Sequence, residues 1–417
     1  MNTGSSNKAW IFYVNHEVLI RVCTFSFFIA TTIGFASVNP ATLQVVPIIR
    51  WGGLLLAIFG LVRELGRVTP NTLTAVLLVV FFYCYGLLRG LTHVGVVYPL
   101  QLLLISITVV SCGAVFFSLG ERINTQISVA RAFLLFAAIW FIFLLVTGGF
   151  SLDFPPRFNF SLSEAGLFET SYSQGVTKFF GLTSVLSFWF FLTRDTFFQR
   201  ILFFLITLSF LCLSFLGGAR GDFLFVLAVY ALLLWTGSLF RKVAAIGLLS
   251  ASYFILVWAI EFFAEDFVVL GRLLSIYSGE TLGQRDILVS QSMALLREQP
   301  VCLIFGCGFS HFQAFFGYEY GMYPHNVLFE AIITWGLPLV MSVTAFVCIG
   351  FTKMECKGPL FWGGIYMFLI SLKSGDILSS WFAMSALYFW AAVGVSSLVP
   401  TKHMSVRPYL QQIQNQN

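Results

Sequence analysis

The sequence predicts an all-α integral membrane protein with about twelve transmembrane helices and a long outer loop of short amphipathic helices. Hydrophobic residues make up 58% of the 417 positions and charged residues 10%, whereas soluble domains have about 45–50% apolar and about 25% charged residues. Apolar runs of spanning length, about 20 residues each, recur from Val18 almost to Val399. The regular placement of Lys and Arg between these runs is the third observation.

Each apolar run is interpreted as one helix, because short polar or basic connections separate the runs. The first run follows a polar stretch with one Lys and has no small-residue cleavage pattern after it. It is therefore predicted to be a retained helix rather than a removed signal peptide. The predicted helices cover 18–37, 45–62, 71–92, 98–118, 130–150, 176–193, 200–216, 222–237, 243–264, 326–350, 359–375 and 380–399.

Lys and Arg lie at alternate connections between the predicted helices, as expected when basic loops stay in the cytoplasm. If the N-terminus is cytoplasmic, all these connections and the C-terminal tail are also cytoplasmic. A missed helix would move the following basic loops to the other side, so the alternation supports the helix count. The basic residues are Arg63, Arg67, Arg122, Arg131, Arg194, Arg200, Arg241, Lys242, Lys353, Lys357, Lys402 and Arg407.

The predicted extramembrane mass lies mainly on the outer face, in two loops of a single membrane domain spanning 1–417. The first loop covers 151–175 and the main loop covers 265–325. The main loop breaks apolar pieces such as Phe309–Phe316 with charges and glycines. Such a pattern favours short amphipathic helices on the membrane surface over a separate soluble domain. In a bacterium this outer face is the periplasmic face of the inner membrane.

The sequence argues against nucleic acid, nucleotide and metal sites. The net charge of +5 comes from cations that are spread singly, which does not indicate nucleic acid binding. The stretch Gly306-Cys-Gly308 has no preceding strand and no following Lys-Ser/Thr, so it is not a phosphate loop. The five histidines show no ligand spacing. Cys302 and Cys307 form either a disulfide or a pair of reduced thiols.

Several cations lie at the outer ends of predicted helices or in the outer loops, where the orientation rule does not place them. Arg50, Arg89 and Lys373 are examples near helix ends. Each one alone is explained equally well by a side chain that extends to the lipid headgroups. Together with the loop cations, they predict a cationic outer vestibule suited to an anionic substrate that arrives from the lipid.

Arg220 lies in the glycine-rich stretch Gly217-Gly-Ala-Arg-Gly-Asp222, which is predicted to be a tight outer turn between two helices. Glycine lets the backbone approach a ligand closely, and the planar guanidinium pairs with two phosphate oxygens. The alternative is a plain turn in which Arg220 pairs with Asp222. The turn therefore predicts either a phosphate site or a local ion pair.

His325 lies in Tyr323-Pro-His-Asn-Val-Leu-Phe-Glu330, where the main loop re-enters the membrane. A histidine at this position can accept a proton from a sugar hydroxyl near neutral pH. The alternative is a histidine that is only hydrogen bonded at an interface. Asn326 is predicted to cap the following helix, and Glu330 is a candidate because acids in membrane segments are usually functional.

The order of these features resembles the O-antigen polymerase and ligase superfamily of bacterial surface polysaccharide synthesis. The order is an outer Gly-x-Arg-Gly turn, then Arg285 in the long outer loop, then Gly-x-Gly, then Pro-His-Asn-x-x-x-Glu at a helix start. The matching stretch runs from Ser214 to Gly336, and the first half of the chain has no motif that aligns.

The resemblance implies a GT-C-like membrane glycosyltransferase that uses undecaprenyl-diphosphate-linked glycan as donor and acceptor at the periplasmic face, without cofactor or metal. It implies that Arg220 and Arg285 neutralise the leaving diphosphate and that His325 deprotonates or orients the acceptor hydroxyl. Direct displacement would invert the anomeric configuration. The auxiliary substrate-binding residues are then Arg50, Arg89, Arg272, Tyr323, Asn326 and Glu330.

Three alternatives remain beside the leading expectation, which is a polymerase of O-antigen repeat units. An O-antigen ligase uses the same chemistry but transfers the finished glycan to lipid A-core. A polysaccharide transporter or flippase has its charged groups near the bilayer midplane, whereas the unusual charges here are at outer helix ends and in loops. A structural membrane subunit needs neither the outer arginines nor His325. The resemblance also implies a chain-length-regulating co-polymerase as a partner.

Overall fold

Helices make up most of the chain, because backbone groups inside a bilayer must be hydrogen bonded within the protein. The computed structural model describes residues 21–24, 26–29, 48, 51–58, 69–93, 100–119, 123–146, 150–151, 157–158, 174–217, 220–263, 270, 274, 284–318, 322–354 and 357–398. Residues 21–24, 26–29 and 51–58 are helical. The helices that follow are α1 (Pro70–His93), α2 (Leu100–Leu119), α3 (Ile123–Val146), α4 (Gln174–Thr193), α5 (Phe197–Leu216), α6 (Arg220–Trp235), α7 (Leu239–Phe263), α8 (Gln284–Glu298), α9 (Pro300–Phe305), α10 (His311–Phe316), α11 (Val327–Trp335), α12 (Leu337–Lys353), α13 (Pro359–Ser374) and α14 (Trp381–Leu398).

Five of the described helices are long and apolar enough to cross a membrane, which indicates a membrane-embedded, all-α protein. The total of twelve spans stays a prediction, and most of 18–37 and 45–62 lies outside the described residues. The five spans are Pro70–Thr92, Ile123–Val146, Phe197–Leu216, Leu239–Phe263 and Trp381–Leu398; shorter apolar helices are Leu103–Ser118, Thr177–Thr193, Gly221–Trp235 and Leu337–Lys353.

α14 lies at the centre of the described bundle and α7 lies at its edge. The most apolar window of α14 is 61% buried, whereas that of α7 is 6% buried. α14 contacts α1, α2, α12 and α13, and its Tyr388, Phe389 and Trp390 are almost fully enclosed. α7 exposes Tyr253 and Phe254, as expected for a helix that faces lipid. α13 therefore packs against a helix that is largely buried within the described bundle.

The predicted single helix over 326–350 is wrong, because the chain breaks at Gly336 into α11 and α12. Gly336 has a φ of 87°, and a Cβ there would collide with the carbonyl oxygen of Ile304. The break thus lets the end of α9 cross directly against the backbone. Pro338, at the second position of α12, is the sequence signal for a new helix start.

The two predicted outer loops contain local structure in their described parts. In the first, Phe150–Ser151 (β1) and Arg157–Phe158 (β2) form a short antiparallel pair. The main loop contains α8, α9 and α10, which confirms short helices there. α8 is amphipathic, because Leu288, Ser292 and Leu295 are buried along one face. Their position on the membrane surface stays a prediction.

Candidate functional site

His325 is held in a left-handed backbone conformation just before α11. Its φ is 54°, and among the described non-glycine residues only Ser310 shares a positive φ. The side chain is half-buried, and its ring lies 4.1 Å from the ring of Tyr323, centroid to centroid. Non-glycine residues in this conformation store strain and are concentrated at functional sites. The predicted catalytic histidine therefore sits on a fixed backbone beside an aromatic ring.

Asn326 caps α11, as the sequence predicted. Its Oδ1 accepts hydrogen bonds from the backbone nitrogens of Leu328 at 2.9 Å and Phe329 at 3.2 Å. These amides are among the first of the helix and have no partner within it. Because the amide side chain is used in the cap, Asn326 fixes the direction in which the chain enters α11 from His325.

Tyr323 connects the segment that contains His325 to the end of α13. Its hydroxyl donates a hydrogen bond to the carbonyl oxygen of Ser374 at 3.4 Å. Ser374 is the last residue of α13, where carbonyl groups have no partner within the helix. Tyr323 therefore places the imidazole of His325 next to the final turn of α13.

Lys373 in that same turn forms an ion pair with Asp222. Lys373 Nζ lies 2.9 Å from Asp222 Oδ1; the lysine side chain is 17% exposed and the aspartate is fully buried. Asp222 is in the first turn of α6 and Lys373 in the last turn of α13. Both charges are thus at the helix ends that the helix dipoles favour. The pair joins α6 to α13.

The connection between α5 and α6 is short, since α5 ends at Leu216 and α6 begins at Arg220. The predicted turn over 217–222 is therefore wrong in its second half, because Arg220, Gly221 and Asp222 belong to α6. Gly221 lets Lys373 approach, because a Cβ there would collide with the Lys373 side chain. The lysine therefore lies across the start of α6. Arg220 is the first residue of α6, but its side chain lies outside the described residues. The described partner of Asp222 is Lys373, which the sequence did not assign.

We call Asp222, Tyr323, His325 and Lys373, together with the start of α6, the histidine site. It brings together two predicted motifs that are far apart in the chain. Lys373 was among the outer cations, with extension to the headgroups as its alternative, and Asp222 was considered only as a partner for Arg220. The signals available in the sequence were only an acid and an outer basic residue near predicted helix ends, which do not show that the two are paired.

Other predicted cations are only partly described. Arg285 is the second residue of α8, but its side chain lies outside the described residues. Arg50 and Arg272 lie wholly outside them. Arg89, on α1, donates from Nε to the carbonyl oxygen of Gly306 at 2.9 Å. Its described contact is therefore with the backbone of the main loop.

Glu330 is buried and contacts backbone in the described structure. It is 6% exposed, and its Oε2 accepts a hydrogen bond from the backbone nitrogen of Ile377 at 2.9 Å. Ile377 belongs to the turn between α13 and α14, which Asp376 also stabilises through its bond to the Ser379 nitrogen. Glu330 thus holds the turn that follows the histidine site.

The Gly306-Cys-Gly308 stretch runs between α1 and α11. Its glycines are required because a Cβ at Gly308 would collide with the backbone nitrogen of Gly90. Three backbone amides complete the contact: Cys307 N donates to Ile333 O at 2.7 Å, Gly308 N to Thr334 O at 3.1 Å and Phe309 N to Gly86 O at 3.1 Å. The glycines serve close backbone packing.

Cys302 and Cys307 form a disulfide, with Cα atoms 4.8 Å apart. This resolves the alternative that the sequence left open. Together with His311 they form a group of three buried metal-ligand types whose ligand atoms lie within 4.8 Å of one another. The two sulfur atoms are bonded to each other, so they do not offer thiolates for a metal. The expectation of a metal-free protein stays a prediction.

An apolar cavity of about 210 Å³ lies between α11, α12, α13 and α14. It borders the histidine site at two points. Val327 and Leu328, which line it, follow Asn326 directly, and Leu372 precedes Lys373. The remaining lining is Ala331, Trp335, Val340, Val343, Thr344, Val347, Cys348, Phe368, Met384, Leu387 and Tyr388.

No family model matches this chain, and no curated protein matches its sequence.

Proposed function

We propose that the protein is a membrane glycosyltransferase that polymerises undecaprenyl-diphosphate-linked repeat units into O-antigen or a related surface polysaccharide. The enzyme works at the periplasmic face of a bacterial inner membrane and has both termini in the cytoplasm. It requires no nucleotide sugar, because the lipid diphosphate is itself the leaving group. It requires no metal, because Arg220 and Arg285 are proposed to neutralise that diphosphate. A chain-length-regulating co-polymerase is its proposed partner.

The observation that carries the proposal is that His325 and the start of α6 meet at one end of α13. The ring of Tyr323 lies beside that of His325 and its hydroxyl bonds to Ser374, while the neighbouring Lys373 bonds to Asp222. A base and cations are the two components that glycosyl transfer from a diphosphate needs. Their convergence from distant parts of the chain supports an active site more strongly than either motif alone.

The proposed reaction is one displacement at the anomeric carbon of the donor. Neutral His325 accepts the proton of the acceptor sugar hydroxyl, and the oxygen forms a bond to that carbon. The bond to the phosphate oxygen breaks, and the lipid diphosphate leaves with the electron pair. Arg220 and Arg285 stabilise the developing charge on the diphosphate. The configuration at the anomeric carbon is inverted.

The apolar cavity supports a lipid-linked substrate. Its lining contains Val327 and Leu372, each within two residues of His325 or Lys373. An isoprenoid chain is apolar and its diphosphate is anionic, so one molecule matches an apolar cavity beside cations. A soluble nucleotide sugar has no chain to place there.

A polymerase is proposed in preference to a ligase, which shares the chemistry and differs in acceptor. The two are separated by the glycan that remains when the gene is deleted. Loss of a polymerase leaves lipopolysaccharide with a single repeat, whereas loss of a ligase leaves core without any repeat. Lipopolysaccharide from a deletion strain of the source bacterium, separated on a gel, decides between them.

The role of His325 is tested by complementing that strain. His325→Ala should restore only a single repeat, because removing a general base lowers the rate about 10²- to 10⁴-fold. His403→Ala, in the predicted cytoplasmic tail, is the matched control and should restore the full ladder. A full ladder from His325→Ala at normal expression would remove the enzyme proposal and favour a structural subunit.

A further inference from the structure

The Lys373–Asp222 ion pair lies at the start of α6, in its first turn. Lys373 Nζ lies against Gly221, between Arg220 and Asp222 in the chain. The lysine side chain is 17% exposed, whereas its partner is fully buried. The cation therefore has an open side and the anion does not.

Asp222 holds the lysine with one oxygen only. Its Oδ1 bonds to Lys373 at 2.9 Å, and its buried Oδ2 makes no hydrogen bond with the described residues. A purely structural pair gains most when all its polar atoms are satisfied. This carboxylate instead fixes the position of the ammonium through a single oxygen.

The surroundings of Lys373 link it to the histidine site. The next residue, Ser374, accepts the Tyr323 hydroxyl bond, and the ring of Tyr323 lies 4.1 Å from that of His325. The preceding residue, Leu372, lines the apolar cavity. Lys373 thus lies at the start of α6 and is adjacent in the chain to residues that contact the histidine segment and line an apolar cavity.

We infer that Lys373 is a phosphate-binding residue of this site, held in place by Asp222. Its ligand is the diphosphate of an isoprenoid lipid, and the inference deepens the proposed function on which it rests. Asp222 acts as a positioning residue: it holds the ammonium at the start of α6 and weakens its attraction for the incoming anion. Lys373 then adds its charge to that of Arg220.

We expect the affinity for a diphosphate to change in opposite directions in two variants. Asp222→Asn removes the competing anion, so the affinity for a diphosphate should rise several-fold. Adding Lys373→Met to Asp222→Asn should then weaken binding about tenfold relative to Asp222→Asn alone, the size of one charge-assisted hydrogen bond. A purely structural pair predicts loss, or no change, in both variants.

The test is a titration of the full-length protein in phosphatidylcholine nanodiscs with farnesyl diphosphate, followed by tryptophan fluorescence. Inorganic pyrophosphate and farnesol, titrated separately, distinguish the phosphate contribution from that of the chain. Lys373→Arg should bind nearly as well as wild type. Lys357→Met is the matched control, because Lys357 is an exposed lysine in a predicted cytoplasmic connection.

The double variant leaves no lone buried charge, so its comparison with wild type holds even if Asp222→Asn alone does not fold. The two effects together predict that the double variant binds farnesyl diphosphate about two- to threefold more weakly than the wild type. Affinity in the double variant equal to or above that of the wild type would overturn the inference, as would a wild type that does not bind farnesyl diphosphate. Binding with the predicted signs but no polymer from lipid-linked repeats would support the lysine site and contradict the proposed function. Polymer formation by a protein whose affinity for farnesyl diphosphate is unchanged by substitution of Lys373 would support the proposed function and contradict the lysine site.

Discussion

Two regions at the predicted outer ends of the helices contain the same kinds of residues and use them differently. The Gly306–Gly308 turn combines glycines with Arg89, and the histidine site combines Gly221 with Lys373. In the turn, the glycines pack against the backbone of α1 and α11, and Arg89 bonds to a backbone carbonyl. In the histidine site, Gly221 makes room for a cation whose side chain is partly exposed.

The difference shows that glycine and arginine alone do not identify a phosphate site. The two regions differ in the partners of their polar groups, which are backbone carbonyls around the turn and a side-chain carboxylate in the histidine site. Around the turn, three amides and the Arg89 side chain bond to backbone carbonyls. In the histidine site, His325 has a positive φ and the Lys373 side chain, paired with a buried carboxylate, is 17% exposed. The first region is architectural, and the second is the candidate for chemistry.

The largest effect on stability is expected from Gly308→Ala, which should lower the free energy of unfolding by about 3 kcal/mol or more. The new Cβ would collide with the backbone nitrogen of Gly90, and the φ of 88° already disfavours alanine. Gly317→Ala is the control, with a φ of 66° but nothing within 4 Å, and should cost about 1 kcal/mol. Denaturant titration in detergent measures both; equal costs would mean that the turn is not tightly packed.

Removing the disulfide should have the next largest effect. Changing Cys302 and Cys307 together to serine should destabilise the protein by about 2 kcal/mol, since the bond closes only a short loop. Cys84→Ser, at an exposed free cysteine, should change little. Thermal unfolding with and without reductant is the measurement. If reductant lowers the unfolding temperature of the double variant as much as that of the wild type, the bond does not account for the loss.

Two substitutions of Glu330 distinguish a role in bonding to the backbone from a role in contacting the substrate. Glu330→Ala leaves the buried nitrogen of Ile377 without its acceptor, at a cost of about 1–3 kcal/mol. Glu330→Gln keeps an acceptor oxygen and should retain most of both stability and activity. The check is thermal unfolding together with polymer formation. A Gln variant that is fully stable but inactive would instead place the Glu330 charge in contact with substrate.

The smallest expected effect is that of the helix cap beside His325. Asn326→Ala should cost about 1 kcal/mol, because it removes the acceptor of two amides at the start of α11, while Asn326→Asp should keep the cap. Thermal unfolding shows the loss. If the cap only orients His325, activity should fall with Asn326→Ala and return with Asn326→Asp; persistent loss in the Asp variant would indicate a direct substrate contact.

Local patterns in the sequence predicted a large part of this arrangement. The apolar runs predicted most of the described membrane helices, and Asn326 before an apolar stretch predicted a cap that the structure confirms. The bounds predicted for the helix over 130–150 are wrong, because α3 covers Ile123–Val146 and includes Arg131, which was predicted to lie in a connection. Local signals likewise predicted the short connection before α6. Each of these features depends on neighbours within a few residues, so periodicity and capping rules are sufficient to find them.

Features that depend on distant contacts were not predicted. The break at Gly336 exists because α9 crosses the backbone there, and an apolar run gives no sign of a crossing. The Lys373–Asp222 pair joins α13 to α6. No local sequence pattern shows that these two helices are neighbours. Sequence alone likewise left both states of Cys302 and Cys307 open, because only the fold places their Cα atoms 4.8 Å apart.

The most direct measurement is a reconstitution of the purified protein in liposomes with undecaprenyl-diphosphate-linked repeat units and no added nucleotide or metal. We expect a ladder of polymer from the wild type and unextended repeats from His325→Ala at the same folded fraction. A ladder from His325→Ala at the wild-type rate would show that this imidazole does not perform the transfer.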